Sequence, residues 1–294
     1  MPADAAAISV GPGRSSAKGK LAKYGLRGIA LGYLFALLLI PVVLIFFKAF
    51  DEGIAHAWES VTTPEAQHAF YLTVLIAAIA VPLNTIFGIA CALVLVRHKF
   101  RGKAILNGLI DLPFAVSPVV IGLSLVLVYG SVDGWFGPWL LEHGIRVIFS
   151  VPGMVLATIF VSLPFVVREV APVLQEIGDD QEQAAATLGA RGWQTFWRIT
   201  LPSIRWGVTY GVVLATARAI GEFGAVAVVS GKIAGKTQTA TLLVEDQYEH
   251  FNVAGAYAAA LVLAVMALAV LLAMNLIQRR NRPAQAALAT GKEL

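Results

Sequence analysis

Residues 70–96 read FYLTVLIAAIAVPLNTIFGIACALVLV, a run of 27 residues without a charged side chain. An α-helix rises about 1.5 Å per residue, so this run is long enough to cross the roughly 30 Å hydrocarbon core of a bilayer. A transmembrane β-barrel would instead show segments of about ten residues in which apolar and polar side chains alternate. The run is continuous and rich in Leu, Ala, Val and Ile, and it therefore predicts a transmembrane helix.

Similar apolar runs lie on both sides of this one. The chain has 294 residues, of which 58% are hydrophobic and only 14% charged, and its mean hydropathy is +0.76. Soluble domains carry about 25% charged residues, so the chain belongs in lipid. We predict an all-α, polytopic transmembrane bundle of about six spans, with a retained first span that is too long for a signal peptide. The predicted spans are Gly28–Phe47, Phe70–Val96, Ile105–Tyr129, Val147–Val167, Trp206–Val229 and Val253–Ile277.

Basic residues concentrate in alternate connections between these runs. The side that holds both termini carries 17 Lys and Arg, whereas the opposite side carries four. By the positive-inside rule, the tails 1–27 and 278–294 are expected in the cytoplasm, with a transmembrane domain 28–277 between them. The net charge of +4 is explained by this topology, so lipid is an expected partner and nucleic acid is not. The single cysteine, Cys91, excludes an intrachain disulfide and a multi-cysteine metal site.

The connection 168–205, between the fourth and fifth runs, is long enough to contain structure of its own. Asp179 and Asp180 can cap a short helix, which continues through good helix formers until Gly189 ends it. A second short helix is expected to stop at Leu201–Pro202, because proline disfavours helix at the residue before it. The pattern predicts two short amphipathic helices on the cytoplasmic face.

The spacing within this connection resembles a family signature. Gln183-Ala184-Ala185 is followed after three residues by Gly189, and after nine more by Ile199-x-Leu201-Pro202. This is similar to the EAA loop of binding-protein-dependent ABC importer permeases, and the resemblance implies the type I permease architecture. It also implies that the first short helix is a coupling helix that contacts an ATPase subunit. The implied coupling residues are Glu182, Gln183, Ala184, Ala185, Gly189, Leu201 and Pro202. The family usually has Glu where this chain has Gln183, and Glu182 lies about 100° around the helix.

Two opposite charges lie inside the fifth predicted span. Arg218 and Glu222 are four residues apart and share one helix face. Charges at this depth are costly unless they are paired or face water. One interpretation places Arg218 beside a translocation path, where it attracts an anion while Glu222 tempers its charge. The other is a structural ion pair, and the pattern favours neither.

Two further segments narrow the resemblance. Residues 112–120 and 217–235 together are similar to the oxyanion branch of the family, which imports sulfate, thiosulfate or molybdate. The stretch 229–235 is most similar to sulfate permeases of the CysW type. A dehydrated dianion is best held by hydroxyls and backbone N–H groups. The candidate hydroxyls for the path or gate are Ser117, Ser124, Ser162, Thr216 and Ser230.

The resemblance also implies the partners. They are a homologous second permease chain in a heterodimer, two ATPase subunits that bind ATP and Mg²⁺, and a periplasmic sulfate-binding protein, all at the bacterial inner membrane. No cofactor is expected on this chain, and we expect no enzyme site. Residues 231–237, GKIAGKT, have three residues between the glycines where a nucleotide-binding loop needs four. The alternatives left open are a permease for molybdate, tungstate or another oxyanion, a passive anion channel, and a membrane enzyme.

Overall fold

A computed structural model describes residues 17–281, and over this range the chain forms helices and no β-strands. The chain divides into two compact units, Met1–Phe47 and Lys48–Leu294. Most of the predicted cytoplasmic tails, residues 1–16 and 282–294, lies outside the described range. The helices are α1 (Ala17–Ala49), α2 (Ile54–Thr62), α3 (Pro64–Arg97), α4 (Lys103–Ala115), α5 (Pro118–Tyr129), α6 (Gly137–Glu142), α7 (Val151–Ile177), α8 (Asp180–Thr187), α9 (Gly192–Thr195), α10 (Leu201–Ile220), α11 (Gly224–Val229), α12 (Ala240–Glu249) and α13 (Val253–Asn281).

Several of these helices are long and apolar enough to cross a membrane. They are Gly25–Ala49 within α1, α3, α7 and Val253–Ala273 within α13, and the bent pair of α4 and α5 makes a fifth candidate. The remaining predicted span, Trp206–Val229, corresponds to α10 and α11, and α10 carries Arg205 and Arg218. The all-helical, multi-span architecture that composition predicts is therefore confirmed.

The third predicted span is not one helix. The segment Ile105–Tyr129 breaks into α4 and α5, whose axes differ in direction by 113°. Val116 and Ser117, between them, have extended backbone with ψ of 136° at both residues. Pro118 explains the break, because its ring disfavours helical geometry at the preceding residue and it has no N–H to donate.

The fifth predicted span is also interrupted. Within Trp206–Val229, α10 ends at Ile220 and the short helix α11 begins at Gly224. The backbone N–H of Gly221 still bonds the carbonyl of Ala217, at 3.3 Å, before the chain leaves the helix. The chain turns at residues 221–223 and then resumes helical geometry.

The prediction that the second short helix stops at Leu201–Pro202 is wrong. A π-helical turn, residues 196–200, joins α9 to α10, and the N–H of Leu201 bonds the carbonyl of Phe196. Pro202 then occupies the first turn of α10, where a missing N–H costs little. At the other end of the connection, α7 continues to Ile177, so the first ten residues of the segment 168–205 are helical.

Helix α7 lies at the centre of the second unit, packed against α3 on one side and α10 on the other. Glycines allow these helices to approach closely. A Cβ atom added at Gly211 would lie 2.9 Å from Cα of Val166, and one at Gly207 would lie 2.8 Å from the carbonyl oxygen of Glu169. At Gly88, on α3, an added Cβ would lie 2.7 Å from Cβ of Val166. At the centre of the bundle, the backbones of α3 and α10 therefore lie directly against backbone or Cβ atoms of α7.

We predict that Gly211→Ala destabilises the protein. The new methyl group meets the α7 backbone, and overpacking of this kind costs about 1–3 kcal/mol. Gly108→Ala on α4 is the matched control, since an added Cβ there has no neighbour within 4 Å. In thermal unfolding of the purified protein in detergent, Gly211→Ala lowers the midpoint and Gly108→Ala does not. Equal midpoints for the two variants would contradict the close contact.

Candidate functional site: a helical hairpin and two broken spans

Residues 178–200, the hairpin, lie between α7 and α10, and the predicted coupling helix is present there as α8. Gly178 precedes it with φ of +64°, and Gly189 follows it with φ of +82°, both in the left-handed region that favours glycine. Asp179 occupies the N-cap position, but its side chain makes no capping hydrogen bond, and its backbone carbonyl instead accepts the N–H of Gln183 at 2.9 Å. The helix therefore begins and ends close to where the sequence predicts, without the predicted side-chain cap.

The implied coupling residues divide into two sets around α8. Gln183, Ala184 and Gly189 are exposed, whereas Ala185 is buried. Leu188 was not among the candidates, yet its apolar side chain is 89% exposed. An apolar residue one position before the helix-ending glycine is the signal that would have identified it. The two candidates outside α8 and its links lie in the first turn of α10, where Leu201 is half-buried and Pro202 is exposed.

Glu182 turns its carboxylate into its own chain. Its two oxygens accept hydrogen bonds from the Arg97 guanidinium at 3.0 and 3.3 Å, and one of them also accepts the hydroxyl of Thr200 at 2.8 Å. The carboxylate is thus occupied by partners on α3 and on the π-helical turn.

Arg218 and Glu222 form an ion pair at the break between α10 and α11. Nη1 of Arg218 lies 2.6 Å from Oε2 of Glu222, without the alignment of a hydrogen bond. The other carboxylate oxygen accepts the backbone N–H of Ala225 at 2.9 Å. The backbone carbonyl of Glu222 accepts the hydroxyl of Thr241 at 2.8 Å. Glu222 is therefore built into the turn.

The two members of the pair differ in exposure. The side chain of Glu222 is 2% exposed and that of Arg218 is 30% exposed. A carboxylate this deeply buried depends on its cationic partner, whereas a partly exposed guanidinium can be hydrated. The geometry supports a structural role for Glu222. The guanidinium of Arg218, in contrast, is partly exposed at the surface of the chain.

The two broken spans meet at their breaks. A Cβ atom added at Gly224, the first residue of α11, would lie 3.0 Å from Cβ of Pro118, the first residue of α5. One added at Gly122 would lie 2.8 Å from the carbonyl oxygen of Ala225. The segments 112–120 and 217–235, which are far apart in sequence and carry the oxyanion resemblance, are therefore packed together.

Most of the candidate path hydroxyls bond back to their own helix. Ser124, Ser162 and Thr216 each donate to the carbonyl four residues earlier, at 2.9, 2.5 and 2.6 Å. Thr216 also borders an apolar cavity of about 470 Å³ between α3, α10 and α13. This pattern is common for membrane hydroxyls, and it leaves these three without a free donor.

Ser230 and Ser117 differ from those three. Ser230 is fully buried, and its oxygen accepts the N–H of Lys232 at 3.1 Å. Ser117 is exposed at the break before α5, and its side chain makes no capping hydrogen bond. Of the five candidate hydroxyls, Ser117 is thus the one placed to donate to a bound group.

Two polar contacts between helices escaped the sequence analysis. Nδ2 of Asn84, on α3, donates to the Ile159 carbonyl at 3.1 Å and to Oγ of Ser162 at 2.8 Å, both on α7. Arg168, also on α7, pairs with Asp111 on α4, with its Nε 2.8 Å from Oδ1. A polar residue within an apolar run is a signal for such contacts, but it does not name the partner.

Comparison with known proteins places the chain among transport components. A family model described as binding-protein-dependent transport system inner membrane component matches residues 84–283. The sulfate transport system permease protein CysW of Synechocystis sp. is 52% identical over 259 residues, 88% of this chain and 94% of the relative. CysW of Escherichia coli K12 is 48% identical over 88% of each chain. The sulfate transport system permease protein CysT of Escherichia coli K12 is 38% identical over 86% of this chain and 91% of the relative.

A solved structure shows the same fold. It is the crystal structure of a bacterial ABC transporter involved in the import of the acidic polysaccharide alginate. The TM-score is 0.75 at 18% sequence identity, and the match covers 90% of this chain and 97% of that chain.

We predict unequal costs for neutralising the two charges at the α10–α11 break. Arg218→Met leaves the Glu222 carboxylate buried without its cation, which costs about 3–5 kcal/mol. Glu222→Gln keeps an acceptor for the Ala225 N–H and leaves Arg218 able to hydrate, so it costs less. Thermal unfolding midpoints of the single variants and of the double variant check this. The double variant is expected above Arg218→Met; a double variant below it would refute the structural role of Glu222.

Proposed function

The chain belongs to the family of binding-protein-dependent transport system inner membrane components, and we propose that it is the channel-forming permease subunit of an ATP-driven importer of sulfate and thiosulfate. The observation that carries the substrate is the high identity, over most of the chain, to relatives named sulfate transport permeases. The fold agrees with that of an ABC importer. Transport by alternating access requires a path that opens to one side at a time.

We place the path at the junction of the two broken spans. Interrupted helices are the usual place for ion sites in transporters, because the first turn of a helix has N–H groups without partners in that helix. At this junction, the exposed hydroxyl of Ser117 and the first turn of α5 supply neutral donors. Arg218 supplies a positive charge that Glu222 partly offsets. Weak, mostly neutral binding suits an anion that must also leave the site.

We place the ATPase contact on the exposed face of α8. Gln183, Ala184 and Gly189 leave room for a close approach, and Leu188 presents an apolar side chain that a partner would cover. ATP and Mg²⁺ bind to the ATPase subunits in this proposal. Closure of those subunits moves α8 and turns the path outward, and hydrolysis returns it inward.

The assembly we propose contains a homologous second permease chain, two ATPase subunits and a periplasmic sulfate-binding protein. The existence of a related permease type, CysT, supports a pair of unlike permease chains. In this proposal the hairpin and both termini lie in the cytoplasm of a bacterial cell, and the basic connections support that orientation. This chain supplies the path, and its partners supply ATP hydrolysis and substrate capture.

We predict uptake of labelled sulfate by the reconstituted complex. Proteoliposomes that contain the permease chains and ATPase subunits, loaded with ATP and Mg²⁺, accumulate sulfate when the binding protein is supplied outside. Omitting ATP or the binding protein abolishes uptake. Preferential uptake of molybdate would favour the other oxyanion function, and equal uptake without ATP would indicate a passive channel.

The ATPase contact is tested separately by Leu188→Asp. A buried, unpaired carboxylate is expected to release the ATPase subunits, so that they no longer co-purify with the tagged permease and uptake is lost. Phe251→Asp is the matched control, since Phe251 is 90% exposed and lies outside the hairpin, between α12 and α13. Retention of the ATPase subunits by the Leu188→Asp complex would exclude the proposed contact.

A further inference from the structure

One arginine joins several helices at the base of the hairpin. Arg97, the last residue of α3, is 15% exposed. Its Nη1 donates to the carbonyl of Leu174 at 3.0 Å, and its Nη2 donates to the carbonyl of Gly178 at 2.6 Å. These carbonyls lie at the C-terminal end of α7, where the helix itself offers no partner. The guanidinium therefore fixes the end of α7 to the end of α3.

The same guanidinium holds the first turn of α8. Its Nε and Nη2 donate to the two oxygens of Glu182, in a fork that matches a planar carboxylate. Glu182 also suits this position because a carboxylate is favoured near a helix N-terminus. The side chain is 21% exposed, so water screens the pair only partly. The coupling helix is thereby attached to α3 and α7 through side chains as well as through the chain.

Glu182 continues the connection to α10. The hydroxyl of Thr200, which is 4% exposed, donates to Oε1 of Glu182 at 2.8 Å. Thr200 is the last residue of the π-helical turn, and α10 follows without interruption to the break that holds Arg218. π-Helical turns often mark functional positions, and here the turn brings Thr200 to the carboxylate of Glu182.

Covalent links alone would not hold α8 rigidly. Two residues, Gly178 and Asp179, join it to α7, and residues 188–191 join it to α9. Glycines with positive φ lie in both links. Without the side-chain contacts, a displacement of α8 would be absorbed by rotation at these links.

We propose that Arg97 and Glu182 are positioning residues that transmit movement of α8 to α3, α7 and α10. The inference rests on the proposed function, because it assumes that an ATPase subunit moves α8. The pair acts as a rigid joint between the coupling helix α8 and three other helices, α3, α7 and α10. Breaking the contact between Arg97 and Glu182 leaves docking of the ATPase subunits and ATP hydrolysis intact. It lowers the number of sulfate ions imported per ATP hydrolysed.

The test measures sulfate ions imported per ATP hydrolysed by the reconstituted complex. Arg97→Met and Glu182→Gln each lower this ratio by about tenfold, the scale set by losing a charge-assisted hydrogen bond. Arg101→Met and Glu176→Gln are the matched controls. Both residues are exposed, lie close to the joint in sequence and stand outside it, and their variants keep the parent ratio. Arg97→Lys, which keeps the charge but not the fork, gives an intermediate ratio.

The outcomes separate this inference from the proposed function. An unchanged ratio in both Arg97→Met and Glu182→Gln would overturn the joint while the parent complex still imports sulfate. Loss of the ATPase subunits from these two complexes would show that the pair maintains the structure that α8 needs for docking. That result would also overturn the proposed transmission. Failure of the parent complex to import sulfate with ATP would overturn the proposed function itself.

Discussion

A bilayer offers no water to backbone N–H and C=O groups, so a helix that breaks inside it needs other partners for these groups. The break between α10 and α11 is the clearest case. The carboxylate of Glu222 accepts the N–H of Ala225, and the hydroxyl of Thr241 donates to the carbonyl of Glu222. The carboxylate of Glu222 thus stabilises the break, and Arg218 is the counter-ion that this buried carboxylate requires. In the proposed path, the exposed remainder of the guanidinium is the part that meets an anion.

Arginine–carboxylate pairs recur where one helix must be held to another. Arg97 joins the end of α3 to α7 and α8, and Arg168 joins α7 to α4. The Arg97 pair lies at the end of α3, whereas Gly88 and Asn84 contact α7 from the interior of α3. The helices are therefore held together both by charge and by close packing. Rigid-body movement of whole helices suits such a design better than local flexing.

Composition and continuous apolarity predict the spans because both are local properties of the chain. Residues 70–96 needed no partner to be recognised, and α3 indeed covers them. Hydropathy carries no information on the direction of a helix axis. The 113° bend at Ser117, between α4 and α5, was therefore missed, although Pro118 was visible in the sequence. The spacing around Gln183 and Gly189 located the hairpin, because helix ends also depend on neighbouring residues.

The partners of polar side chains could not be predicted in this way. Glu182 binds Arg97, 85 residues earlier in the chain, and Asn84 binds Ser162, 78 residues later. Such pairs are set by how helices pack, which a single sequence does not state. For the same reason Ser124, Ser162 and Thr216 remained candidates for the path until their hydroxyls were seen to bond within their own helices.

The seam between α5 and α11 has a further consequence. Glycine lies on both sides of it, at Gly122 and Gly224, and an added Cβ at either would meet the opposite helix. A barrier made of bulky side chains can leak when one of them rotates. At Gly122, an added Cβ would lie 2.8 Å from the carbonyl oxygen of Ala225, so here the backbone of one helix lies directly against the other. If the proposed path crosses this seam, it opens only when a helix segment is displaced, and the closed seam would preserve the membrane potential between transport cycles.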